Sequence, residues 1–273
     1  MEACFSFIGA KAMMADWIIS RFPQHNAYVE VFGGSGAVLL KKQMSSKEVY
    51  NDFNENLTNF FEVIRSDTDE FLHHFDFLMH NEVLHKKFQK EPLPKDNNLE
   101  WALRYFYLIV NSFNGQVDAS FNYTTHVTNK NTLAFKNKKR KLLNVARRFK
   151  NVEIRNRDFE HIIETYDNHD TLFYIDPPYY GKEDYYNHSA GELFNIEDHK
   201  RLRDTLEDIK GKALVSYYGT PEIMELYKDW QYDTYRATRH SLRHDKKLDE
   251  NIENKVDEYM FSNFRLPIQS KLF

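Results

Sequence analysis

Residues 29–40 read VEVFGGSGAVLL. An apolar run ends at Phe32, then Gly33, Gly34, Ser35 and Gly36 follow, and a segment with helical spacing begins. With Tyr28 included, YVEVF (28–32) has the length and composition of a short strand, and AVLLKK (37–42) reads as a helix start. Strand, glycine turn and helix make the repeating unit of an α/β sheet. The glycines allow close backbone approach to a ligand, and the helix start favours a negative group. An ordinary strand-to-helix turn would use the same residues. Two nucleotide patterns are excluded: Leu39 stands where the last glycine of G-x-G-x-x-G would fall, and no Gly-Lys-Ser/Thr follows as in a Walker loop.

Similar units recur on both sides of the chain. EVYND (48–52), VEIRN (152–156), LFYID (172–176), KALVSYY (212–218), YDTYRA (232–237) and DEYMFSN (257–263) read as strands. Segments such as NIEDHKRLRDTLEDIKG (195–211) have helical spacing. The pattern predicts a mostly parallel sheet covered by helices on both faces, with the last two strands spaced for an antiparallel hairpin. Residues 66–150 differ. TDEFLHHFDFLMHNEVLHKKFQK (68–90) and NLEWALRYFYLIVNSFN (98–114) look helical, and the breaker cluster EPLPKDNN separates them. The expected organisation is one unit formed by 1–65 and 151–273, with 66–150 inserted as a helical domain.

With 41% hydrophobic and 15% aromatic residues, the 273-residue chain is too apolar to be disordered. Its one cysteine, Cys4, excludes a disulfide framework and a cysteine-rich zinc site, and fits a reducing cytoplasm. No apolar run reaches the ~18 residues of a membrane span, and the N-terminus lacks a signal-peptide pattern. The twelve histidines form no spaced ligand set, so no metal is expected; His73-His74 reads as a surface pair. The formal charge of −4 is unevenly spread. KNTLAFKNKKRKLLNVARRFK (130–150) holds nine Lys or Arg and no acid. Such a run is either a solvated helical face or a phosphate-contacting surface.

Acidic residues close several strands, and ligands of open α/β sheets lie beyond those strand ends. Asp52 ends the second strand, where it can accept hydrogen bonds from both hydroxyls of a ribose. A helix N-cap, shared with Asn54, reads equally well. Asp158 and Phe159 follow the third strand, where an acid and a ring could hold an adenine by its amine and its face. An N-cap is again the alternative. Asp176 ends the fourth strand, followed by Pro177, Pro178 and Tyr179. A residue before proline is held extended, and the second proline limits how the Pro177 carbonyl can turn. Asp176 and that carbonyl make two stiff neighbouring acceptors, with Tyr179 adding a flat face. An aromatic amine such as N6 of adenine has two N–H donors and a weakly nucleophilic, delocalised lone pair. Two acceptors on its hydrogens localise that lone pair for attack.

Together these stretches resemble the Dam-like, D12 class of DNA adenine-N6 methyltransferases, over nearly the whole chain. The family's Phe-x-Gly-x-Gly appears as Phe32-Gly33-Gly34-Ser35-Gly36, and its (Asp/Asn)-Pro-Pro-(Tyr/Phe) as Asp176-Pro177-Pro178-Tyr179. Its N-terminal aromatic-x-Gly-Gly-Lys appears as Phe7-Ile8-Gly9-Ala10-Lys11, with Phe7 where Trp is more usual and Ala10 replacing a glycine. Phe113-Asn114-Gly115 is similar to a segment at the edge of the family's target-recognition region, and residues 239–263 are similar to its closing hairpin.

The resemblance implies a Rossmann-like S-adenosylmethionine methyltransferase sheet that moves a methyl group to N6 of a flipped adenine in duplex DNA, leaving S-adenosylhomocysteine. It implies that Phe7, Gly9, Lys11, the 32–36 loop, Asp52, Asp158, Phe159 and Asp176 serve the cofactor. Phe113, Asn114, Gln116, Lys136, Lys138, Lys139, Arg140 and Lys141 would meet double-stranded DNA. Gln116–Phe135 would be the recognition loop. Family members that read GATC carry an Arg shortly after the Asn-Gly pair; here Asp118 lies near that place, so GATC is not carried over. A companion restriction endonuclease, a cytoplasmic, nucleoid-associated location and a lid bracketed by Gly181 and Gly191 complete the expectation. Cytosine N4, RNA adenine or a glutamine amide as target, an inactive DNA-binding relative, and an S-adenosylmethionine sensor are the alternatives.

Overall fold

The computed structural model describes residues 2–5, 11–123, 135, 137–181, 194–238 and 255–266. Phe7, Gly9, Lys136, the recognition-loop residues 124–134 and the proposed lid residues 182–193 lie outside them, as does most of the stretch likened to the closing hairpin. The strands are β1 (Ala27–Glu30), β2 (Lys47–Asn51), β3 (Glu153–Arg155), β4 (Thr171–Ile175), β5 (Lys212–Tyr218), β6 (Gln231–Thr238) and β7 (Lys255–Ser262). They form one sheet in the order β3-β2-β1-β4-β5-β7-β6. β1 to β5 run parallel, and β7 pairs antiparallel with both β5 and β6. Each strand lies where the apolar runs predict it.

Burial on both faces explains why the central strands read as apolar runs without alternation. One face carries Val29, Val49, Phe173, Ile175, Val215 and Phe261. Against it pack Phe159, Ile162 and Ile163 of α8 (Phe159–Tyr166), Leu202 of α9 (Ile196–Thr205) and Ile223 of α10 (Pro221–Leu226). The other face carries Tyr28, Tyr50, Leu172, Tyr174, Leu214 and Met260. It is covered by α1 (Ala15–Ile19), α2 (Ala37–Lys41), α3 (Glu55–Ser66) and the helices of the insertion.

Residues 66–150, expected to form an insertion, supply α4 (Thr68–Asp76), α5 (Glu82–Lys90), α6 (Asn98–Asn111) and α7 (Lys138–Phe149). These helices share a core with the sheet rather than building their own. Phe60 of α3 stacks on Phe106 of α6 at 5.1 Å, and Phe61 stacks on Phe149 of α7 at 4.4 Å. Phe149 also meets Tyr50 of β2. Helix α7, grouped with the insertion by composition, therefore belongs equally to the sheet. Its Arg148 is buried and donates to both carboxylate oxygens of Glu48 on β2. The 3.6-residue period turns this part of the basic run inward.

Candidate active site at the carboxyl ends of β1, β2 and β4

Strand order reverses between the neighbours β1 and β4, which opens a crevice beyond their carboxyl ends. The 32–36 loop lines one side. Gly34 and Gly36 take φ of 50° and 66°, where a side chain is strained. Gly33 is required for a different reason: a Cβ there would lie 2.1 Å from Cε2 of the buried Tyr50. The Tyr50 hydroxyl in turn donates to the Gly34 carbonyl at 2.7 Å. The turn is thus fastened to β2, and its backbone can meet a ligand without intervening side chains.

Asp52 closes this arrangement. Its Oδ2 accepts the Gly34 N–H at 2.7 Å and its Oδ1 the Asn54 N–H at 2.8 Å. Asn54, not Asp52, caps α3, accepting from the Asn56 N–H. Burial pushes the Asp52 carboxyl up to about 6. Each carboxylate oxygen keeps a further lone pair for a hydroxyl donor. Asn51 ties the three strand ends together, donating to Val31 and Arg157 carbonyls and accepting from the Arg157 N–H.

Glu30 does not stand among the residues expected from the sequence. It is an acid in the middle of an apolar strand, and that oddity is the available signal. Its Oε2 accepts from the Tyr28 hydroxyl at 2.7 Å and from the Leu39 N–H at 2.9 Å. It thereby caps α2, whose N-cap residue Gly36 has no side chain. Burial pushes Glu30 up to about 8, so it holds its proton at neutral pH.

At the end of β4, Asp176 meets groups from two distant parts of the chain. Ser216 of β5 donates to its Oδ1 at 2.5 Å. Lys11 Nζ, buried, lies 3.1 Å from the same oxygen and 3.4 Å from Oε2 of Glu258 on β7. Lys11 also donates to the Tyr179 hydroxyl, and that hydroxyl donates to Glu258 at 3.1 Å. Tyr179, expected to offer a flat face, is largely enclosed. The ring is only 3% exposed, has Lys11 Nζ over it at 4.5 Å, and packs edge-on against Tyr218 at 4.4 Å. It walls the crevice because its hydroxyl has charged partners inside.

Asp158 caps α8, accepting from the Glu160 N–H, and so fills the alternative role. It also receives Arg201 of α9 in bidentate fashion, at 2.8 and 3.0 Å. The Arg201 hydrogen bonds hold the Asp158 carboxyl below its ordinary value. The same guanidinium lies 4.0 Å over the ring of Phe159. A flat group with N–H donors thus occupies both features that were assigned to an adenine. Phe159 is 4% exposed and also meets Phe32 at 5.8 Å and Phe194 at 5.7 Å.

The expected DNA-contacting residues that the structure describes lie on the turn after α6 and on α7. Phe113 and Asn114 are exposed on a tight turn, with Asn114 at φ 55°. The turn closes through the Phe113 N–H to Ser120 and the Asn122 N–H to Asn111. Two histidines with no expected role support its base: His80 stacks on Phe121 at 4.5 Å, and buried His85 bonds Ser112 at 2.7 Å. In the basic run, Lys139 pairs with Asp76 and Lys141 with Glu2, while Lys138 is half-buried and burial lowers its pKa. Arg140, Arg147 and Lys150 are exposed. His73 and His74 are exposed on α4. Among the described residues, no group of three or more His, Cys, Asp or Glu is arranged to hold a metal ion, and no helix is long and apolar enough to cross a membrane.

Comparison with known proteins agrees with this architecture. The family described as D12 class N6 adenine-specific DNA methyltransferase matches residues 7–246. The type II methyltransferase M1.LlaDCHI of Lactococcus lactis subsp. cremoris is 25% identical over 257 residues, covering 85% of this chain and 86% of its own. The type II methyltransferase M.MjaIII of Methanocaldococcus jannaschii is 29% identical over 196 residues, covering 64% of this chain and 66% of its own.

Proposed function

Because this chain belongs to the D12 class of N6 adenine-specific DNA methyltransferases, we propose that the crevice described above is where it binds S-adenosylmethionine and a flipped-out adenine. The sheet, parallel with a closing antiparallel hairpin, is the Rossmann-like methyltransferase fold, and the enzyme methylates adenine N6 in DNA site-specifically. The residues present suit the cofactor. The glycine-rich loop held against Tyr50 lets its backbone approach a ligand, Asp52 has acceptor capacity for ribose hydroxyls, and Asp158 and Phe159 already hold a planar donor group. When bound, S-adenosylmethionine supplies an electrophilic methyl group.

The protein's own groups prepare the nucleophile. Extrusion of the adenine from the duplex is needed because N6 is out of reach inside it. Asp176 and the Pro177 carbonyl accept the two N6 hydrogens, localising the lone pair and stabilising the positive charge that develops on nitrogen. Lys11 ties Asp176 to Glu258, and Tyr179 walls the pocket. After transfer, Asp176 can take the surplus N6 proton and release it to water. The exposed Phe113-Asn114 turn, with Gln116, reads the target and the 66–150 helices carry it. Lys138, Lys139, Arg140 and Lys141 contact phosphates. The type II relatives support a place in a restriction-modification system with a companion endonuclease, acting on DNA in the cytoplasm.

The observation that carries this reading is the meeting of Ser216 and Lys11 on Oδ1 of Asp176, with Lys11 also held by Tyr179 and Glu258. Labelled S-adenosylmethionine incubated with unmethylated duplex DNA should label adenine N6, and Asp176→Ala should abolish incorporation. Wild-type protein that binds the cofactor yet labels no DNA would sink the reading.

A further inference from the structure

The geometry points to Ser216 as the positioning residue that decides which oxygen of Asp176 receives the target amine. The inference rests on the proposed role of Asp176. An aspartate carboxylate turns easily about its last torsion, which is broad and nearly two-fold. Left alone, it would offer either oxygen in a range of directions. Here two donors meet on Oδ1, the Ser216 hydroxyl at 2.5 Å and Lys11 Nζ at 3.1 Å. Among the described residues, no hydrogen bond falls on Oδ2. The carboxylate is therefore locked with one oxygen spent and the other presented.

Ser216 is well placed to do this. β4 and β5 run parallel with Ile175 abreast of Val215, so the next residue of each, Asp176 and Ser216, are side by side. Ser216 is fully buried on a strand paired on both edges, which fixes its position better than a loop could. Its neighbours in the strand, Val215 and Tyr217, belong to the core of the opposite sheet face. The hydroxyl at this buried position has the Asp176 carboxylate as its hydrogen-bond acceptor. Lys11 reaches the same oxygen but is shared with Tyr179 and Glu258, so it does not set the direction alone.

The test is single-turnover methyl transfer at saturating S-adenosylmethionine and duplex DNA, for wild type, Ser216→Ala and Ser216→Thr. Binding of each ligand and extrusion of a fluorescent adenine analogue are measured in parallel. Loss of positioning at the reacting atoms should slow transfer in Ser216→Ala by about 10- to 100-fold. Its dissociation constants and the extrusion signal should stay within about twofold of wild type. Ser216→Thr, which keeps the hydroxyl, should recover most of the rate. Wild-type transfer in Ser216→Ala would overturn the inference, as would a loss accounted for wholly by weaker binding. So would a Ser216→Thr protein that melts like wild type but transfers as slowly as Ser216→Ala. Should Ser216→Ala fail to fold, Ser216→Thr decides: transfer near the wild-type rate supports the inference, and slow transfer with intact binding opposes it. Failure of wild type to methylate any adenine would instead strike the functional reading beneath it.

Discussion

Replacing Arg201 with alanine should make the protein bind S-adenosylmethionine more tightly. Arg201 pairs with both oxygens of Asp158 and lies on Phe159, the two groups proposed to receive the adenine. A cofactor entering there must first displace the guanidinium. The ion pair is partly open, with side-chain exposures of 37% and 42%, so it contributes less than about 1 kcal/mol. The cation over the ring adds about 0.5–1 kcal/mol. Glu160 and Asp198 also accept from Arg201, but they can continue to hold it after it swings away. Removing a competitor bound by about 1–1.5 kcal/mol should tighten cofactor binding roughly 5- to 12-fold. Calorimetric titration of the DNA-free protein with S-adenosylhomocysteine measures this directly. Asp158→Ala serves as the control and should bind more weakly. Arg201→Ala binding that is unchanged or weaker would refute the reasoning, because the guanidinium would then be neutral towards the adenine or a support for it.

Two further predictions concern the sheet and the DNA surface. Glu30, pushed up to about 8, keeps a proton in the folded state that the unfolded chain loses near 4.5. Its contribution therefore falls as pH rises from about 4.5 to about 8, by on the order of a few kcal/mol. Glu30→Gln should have a flatter stability curve and gain on wild type steadily towards pH 8; denaturant unfolding at several pH values would show parallel curves if this is wrong. Neutralising Lys138, Lys139, Arg140 and Lys141 together should weaken DNA binding and reduce the salt slope by about one for each phosphate no longer neutralised. Because Lys139 and Lys141 already have acidic partners, the reduction should fall short of four; an unchanged slope would make the run a solvated face.

The strands, the glycine turn and the position of Asp176 follow from local chain chemistry. Apolar runs of strand length are punctuated by Gly33–Gly36 and by Pro177-Pro178, and a residue held extended before proline continues its strand. Those are short-range constraints, written in neighbouring residues. The helices α4, α5 and α6 were legible for the same reason. What surrounds Asp176 was not. Ser216 lies 40 positions away in the chain, and Lys11 and Glu258 reach Tyr179 across 168 and 79 positions. Their meeting depends on the order β4-β5-β7 and on the path of the N-terminal segment, neither of which is encoded in any one stretch. The pairing of Arg201 with Asp158 depends on α9 packing beside α8. The basic run looked uniform until α7 docked and turned Arg148 into the core. Local sequence determined which groups sit at strand ends, since backbone geometry is set by neighbours. Only the tertiary structure decided what those groups touch, since burial and pairing are set by residues far apart in the chain.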